Sequence, residues 1–182
     1  EDAALFDTVR AVALELAPAL GVSIPVGKDS LSMRTTWRAD GETREVVAPL
    51  SLIVSAFAPC EDARRTLTPQ LRTDRGATEL VLVDLGRSKN RLGASILAQV
   101  YAQIGDRTPD LDDPAELKRF FGAIRALAHD GLLIAYHDRS DGGVWAAVCE
   151  MAFAGAVGVA LDVPSVAALF AEELGAVLGV AA

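Results

Sequence analysis

Apolar positions fall at helical spacing in several stretches of the chain, separated by short unbroken apolar runs. Leu5, Val9, Val12, Leu16 and Leu20 share one helical face, which predicts an amphipathic helix over residues 5–20 with Pro18 loosening its last turn and Gly21 ending it. The spacing also predicts helices over 92–104, 115–128 and 144–154, the last with Val144, Ala147, Val148 and Met151 recurring along it. Asp112, Asp113 and Pro114 place acid and proline where the 115–128 helix begins. Residues 22–26 are short and β-branched, 45–58 read as a buried strand, 79–85 as a central strand, and 132–136 as a short strand entered through Gly131. Residues 38–42 are polar and turn-rich, as a hairpin connection requires.

Strand and helix patterns alternate through the second half, so the fold class is α/β or α+β. Between the halves, residues 60–76 are polar, follow Pro59 and carry Pro69, which marks them as a linker. No internal repeat or low-complexity segment stands out, although Ala and Gly are frequent near the C-terminus.

With 182 residues, 51% of them hydrophobic, the chain has enough apolar side chains for a core. No run approaches the roughly 18–20 apolar residues of a spanning helix, and the opening Glu1-Asp2 lacks the positive n-region of a signal peptide. A cytoplasmic protein is expected. A formal net charge of −8 argues against nucleic acid and against an anionic membrane surface, since both are bound through clustered Lys and Arg. Phosphorylated small molecules stay open, because a helix N-terminus or a metal ion supplies positive potential locally. Cys60 and Cys149 form no C-x-x-C pair, so they read as buried free thiols rather than a zinc or disulfide site.

The chemistry concentrates at Tyr136-His137-Asp138-Arg139-Ser140-Asp141-Gly142-Gly143, between the 132–136 strand and the 144–154 helix. A helix N-terminus at such a turn favours an anion, and glycines let a phosphate approach the backbone. Ser140 is a donor suited to a phosphate oxygen, and Asp138 is suited to a divalent cation that bridges those oxygens. Ser140 and Asp141 also suit helix capping, and the glycines the turn alone; both readings stand at this point. His137 neighbours Asp138 on an extended segment, so the two point to opposite faces and do not share an ion; an orienting role for His137 is open. Arg139 is suited to a carboxylate or a phosphate, and His129, near a helix end, has no assigned role.

The stretch from Gly21 through Gly27, Lys28 and Asp29 is not a P-loop. Walker A has four residues between its glycines and Ser or Thr after the Lys, whereas five intervene here and Asp follows. Lys28 as a phosphate-binding charge and Asp29 as a metal or water ligand remain open beside a plain surface ion pair.

Four blocks resemble one family. HDRSDGG (137–143) with the following Cys149-Glu150-Met151-Ala152-Phe153-Ala154-Gly155, and Pro25-Val26-Gly27-Lys28-Asp29-Ser30-Leu31-Ser32-Met33, are similar to signatures of the long form of phosphoribosylformylglycinamidine synthase. Leu67-Thr68-Pro69-Gln70-Leu71 and Glu172-Glu173-Leu174-Gly175-Ala176-Val177 follow in the order of that family. The resemblance implies an incomplete two-subdomain fold like aminoimidazole ribonucleotide (AIR) synthetase, from the second of two such halves. Residues 1–59 would end its first subdomain, 60–76 would be the linker, and 77–182 would begin its second subdomain.

For the parent enzyme the resemblance implies ATP-dependent conversion of a formamide to an amidine with ammonia from glutamine, in purine biosynthesis. It implies magnesium and ATP or ADP as cofactors, with Asp138 as metal ligand and Ser140 as nucleotide contact. One Asp makes a weak magnesium site, and in the family the other ligands lie upstream of this segment. The segment alone is therefore expected to be inactive. Its partners would be the first AIR-synthetase-like half, a glutaminase domain whose cysteine nucleophile matches neither Cys60 nor Cys149, and small-molecule substrates. Uncovered sheet edges would favour self-association of the isolated segment. An alternative role is a non-catalytic half that retains magnesium-ADP for structure. A related enzyme of the same fold is a further alternative, disfavoured by the PVGKDS and LTPQL blocks.

Overall fold

In the computed structural model, which describes residues 2–28, 30 and 33–182, the chain divides into two units, Glu1–Cys60 and Glu61–Ala182. The first unit opens with α1 (Asp2–Val9), a π-helical stretch over Arg10–Leu16, and α2 (Ala17–Leu20). Pro18 explains the wide turns before it, because its ring would meet the carbonyl four residues back in a straight α-helix. The Ala17 N–H instead reaches the Val12 carbonyl, five residues back. Gly21 ends the helix in the left-handed conformation at φ 75°.

The hairpin expected around residues 38–42 is present. Strands β1 (Arg34–Ala39) and β2 (Glu42–Val47) pair antiparallel across Asp40 and Gly41, both at positive φ as a tight two-residue turn demands. Two expectations fail in this unit. Residues 22–26 form no strand, and of 45–58 only the first residues belong to one, all of them exposed. A buried strand needs ladder partners and a covering layer, and Pro49 withholds a donor just past β2.

The second unit is a three-stranded antiparallel sheet in the order β3-β5-β4, with β3 Thr78–Asp84, β4 Leu133–Asp138 and β5 Gly175–Ala181. The central strand is thus β5, and β3, expected at the centre, lies at an edge of the sheet. Alternate β5 residues face opposite layers. Val177 joins Ala135, Val144, Ala147, Val148 and Met151 on the face covered by α5 (Gly143–Gly155), while Ala176 and Leu178 join Leu133 on the face covered by α4 (Pro114–His129). The α4 stripe of Phe120, Ile124, Leu127 and Ala128 packs against that second face, and Asp113 caps its start by accepting from the Ala115 N–H at 2.8 Å. The helix expected over 92–104 is only the five-residue α3 (Ile96–Val100), capped by Ser95 and stopped where Ala102 turns to φ 53°. A short α6 (Val166–Phe170) precedes β5.

Residues 60–76, polar enough to read as a linker, are largely tied to the second unit. Leu67 and Leu71 pack against its two cores, and the Tyr136 N–H donates to the Thr68 carbonyl at 3.0 Å beside β4. Cys149 is half-buried, but Cys60 is exposed, contrary to the expectation of two buried thiols. Among the described residues no helix is long and apolar enough to cross a membrane.

Candidate functional site

Strands β3 and β4 both run toward the end of the sheet where β5 begins, so Asp84 pairs with Gly175 and Asp138 with Ala176 in register. The loops leaving those ends converge around a cleft of about 590 Å³ within the second unit. Asp138, Ser140 and Asp141 supply its polar rim, and Leu117, Phe120 and Phe121 of α4 part of its apolar wall. The two residues expected to share a site, Asp138 and Ser140, therefore line one cavity. The Asp138 carboxylate is 67% exposed, with its Oδ1 3.8 Å from His137 Nδ1.

The strand-to-helix turn is held by groups the motif itself supplies. Arg139 is buried: its Nη2 donates to Asp84 Oδ1 at 2.5 Å and to the Leu174 carbonyl at 2.9 Å, and its Nε donates to the Glu173 carbonyl. Of the carboxylate and phosphate left open for it, the structure pairs it with the carboxylate. Burial disfavours charge on Asp84, yet hydrogen bonds from Arg139 and the Ser88 and Gly86 N–H groups outweigh it and hold its carboxyl below the usual range. Glu173, unlike part-exposed Asp84, is fully buried, and its desolvation is likewise outweighed by bidentate pairing to Arg91, with Arg91 Nη2 2.6 Å from Oε2.

Gly142 and Gly143 have a packing explanation. Gly142 takes φ 79° at the start of α5. Gly143 sits at φ 65° so close to the 169–171 backbone that a Cβ would lie 2.8 Å from the Ala171 carbonyl oxygen. The Gly142 N–H, which the sequence offers to an anion, donates instead to Glu172 Oε1 at 2.8 Å, and the same oxygen accepts from Ile96 N at 2.8 Å. An internal carboxylate thus occupies part of the positive end of α5. Ser140 takes no capping role through its side chain; its carbonyl accepts from Gly143 N at 2.9 Å. Half-burial first, then the negative charge of Asp138, raises the phenol pKa of Tyr136, which also lines the cleft.

Glu172, and Glu150 through its Oε2 2.6 Å from His137 Nε2, were missed as contributors to this turn. Glu172 carried a sequence signal, the Glu172-Glu173 pair before an apolar run, but nothing in its spacing connects it with Gly142, thirty residues earlier. His129 lies exposed at the end of α4, 3.2 Å from Asp130. Lys28 donates to Ser30 Oγ in the first unit, and Asp29, Leu31 and Ser32 of the PVGKDSLSM block lie outside the described residues.

The donors present fit one part of a magnesium site. Asp138 is an exposed carboxylate beside a hydroxyl in a cleft, suited to an ion that takes its remaining ligands from phosphate oxygens, water and other carboxylates. Among the described residues no group of three or more His, Cys, Asp or Glu side chains converges to hold a metal.

Residues 1–59 match the model of the FGAR-AT PurM_N-like domain, and residues 79–178 match that of the AIR synthase related protein, C-terminal domain. The second match covers more than half of the chain, and the two in succession fit an AIR-synthetase-like half of phosphoribosylformylglycinamidine (FGAM) synthetase. The chain belongs to the AIR synthase related family.

Proposed function

We propose that this chain works as part of a cytoplasmic FGAM synthetase, a carbon–nitrogen ligase of purine biosynthesis that uses ATP and glutamine-derived ammonia. Its share of the work is to bind a magnesium-bound adenine nucleotide in the cleft at the β4–α5 turn. Asp138 is the metal ligand and Ser140 donates to a phosphate oxygen. The observation that carries this reading is that an exposed carboxylate and an exposed hydroxyl, two residues apart, line the same cleft at the mouth of a two-faced sheet. Magnesium would neutralise phosphate charge there and orient the phosphates. The chain's own contribution is to fix that rim, through Arg139 beneath it and Glu172 across the start of α5. The remaining metal ligands and the ammonia source belong to partner domains of the enzyme.

The test is mass-spectrometric identification of the nucleotide that copurifies with the intact synthetase, compared with its Asp138→Asn variant. ADP or ATP is expected with the native enzyme, falling at least about tenfold in the variant. Equal nucleotide content in both would overturn the reading. Turnover and melting temperature of the same variant decide the nucleotide's role. Lost turnover with an unchanged melting temperature marks a catalytic site; a lowered melting temperature marks a nucleotide kept for structure.

A further inference from the structure

His137 stands next to the proposed metal ligand, points away from the cleft, and is fully engaged. On β4 it follows Ala135 toward the α5 face, and its ring is only 16% exposed. Nδ1 lies 2.7 Å from the Asp138 carbonyl oxygen, and Nε2 lies 2.6 Å from Glu150 Oε2 on α5. Carbonyl and carboxylate oxygens only accept, so in this geometry Nδ1 donates in the first contact and Nε2 in the second. That contact holds the peptide between Asp138 and Arg139 at the point where the strand leaves the sheet. The Arg139 N–H fixes the same peptide from its other side by donating to the Gly175 carbonyl at 2.8 Å.

The second contact ties this peptide to the helix at the far end of the turn. Ser140 lies between the two anchored ends, so the ring spans the segment whose length and direction set Asp138 against Ser140. We infer that His137 is a positioning residue for the cleft: through Nδ1 it orients the Asp138 main chain, and through Glu150 it locks that orientation to α5. The inference rests on the proposed nucleotide site and deepens it. Groups that orient a ligand without touching the metal commonly change metal affinity by about 10- to 100-fold when lost.

The experiment measures binding of manganese-ADP to the intact synthetase by electron paramagnetic resonance, beside the melting temperature of each variant. In His137→Asn the amide places a donor near the Nδ1 position, and in His137→Gln near the Nε2 position. The expected result is that Asn keeps affinity within about threefold of native while Gln loses about tenfold or more, although each variant gives up one of the two contacts. Equal affinity in the two, or losses that merely follow melting temperature, would overturn the inference.

Glu150→Ala serves if neither histidine variant folds, since Glu150 is exposed on α5. About a threefold weaker binding at an unchanged melting temperature is expected, and native binding would overturn the proposal. Asp138→Asn separates the two levels. If it binds manganese-ADP as tightly as native enzyme, the nucleotide reading itself fails; if it loses binding while His137→Gln does not, only the positioning role fails.

Discussion

The two units use apolar sequence to different ends. In the second, Met151, Val177 and seven other hydrophobic residues are buried on two faces of one sheet; in the first, Ala17 alone among the described residues reaches that burial. Meanwhile Val46 and Val47 of β2, and Ile53 and Phe57 beyond it, stand exposed, Phe57 at 94%. Composition does not explain the difference, since both units are rich in Val, Leu and Ala. What differs is the second layer. A three-stranded sheet with a helix on each face gives alternate side chains somewhere to go, whereas a two-stranded ribbon is marginal by itself. The cleft with Asp138 and Ser140 belongs to the unit whose frame is locked from both sides.

That contrast breaks most readily at Arg139. Arg139→Met removes a buried cation, takes the Arg139 donor from the Glu173 carbonyl, and strips Asp84 of its ion-pair partner, leaving it the Gly86 and Ser88 N–H groups. It is expected to cost about 3 kcal/mol in urea unfolding, because a part-buried carboxylate stripped of its cation remains partly desolvated. Arg34→Met in the first unit removes a well-exposed pair with Glu45 at 3.2 Å and should change stability by less than about 0.5 kcal/mol. Similar costs at both positions would mean that the second unit is no more tightly locked than the first.

A smaller effect is expected at the turn itself. Gly143→Ala combines a positive φ with a Cβ 2.8 Å from the Ala171 carbonyl oxygen, for a cost of about 2 kcal/mol in thermal unfolding. Such a loss would show that the glycine serves packing of α5. A neutral result would mean that the 169–171 segment yields easily and that the glycine is there for another reason.

Parts of this arrangement were legible in the sequence for definite reasons. Helices α4 and α5 announced themselves because their apolar residues recur at 3.6-residue spacing, and α4 because Asp113-Pro114 is a strong start. The central strand was not legible. It is built of Gly175, Ala176, Gly179 and Ala181 among its apolar residues, and Gly179 is small because Ala135 on β4 sits where its Cβ would go, 2.9 Å away. A strand packed that closely gives up the β-branched residues by which strands are recognised. Residues 45–58 failed the opposite way, with a good apolar pattern that nothing among the described residues of the unit buries. At the cleft, local motif chemistry pointed to Asp138 and Ser140. The fates of Arg139 and of the Gly142 N–H depended on Asp84, Glu172 and Leu174, which only folding brings near.

The smallest expected effect sharpens the comparison from the side of the first unit. Phe57 is 94% exposed and Ile53 91%, so neither ring nor branch is removed from water on folding of this chain, and there is no transfer free energy to lose. Phe57→Ser should therefore shift the unfolding midpoint of the 182-residue chain by the equivalent of less than about 0.5 kcal/mol, as exposed substitutions usually do. Made in the intact synthetase, the same change discriminates. A loss of about 3 kcal/mol there, the range for a buried Phe, would mean that another part of the enzyme supplies the layer this unit lacks. A negligible change in both settings would leave the residue uncovered throughout, and the contrast between the units would then be a property of the whole enzyme.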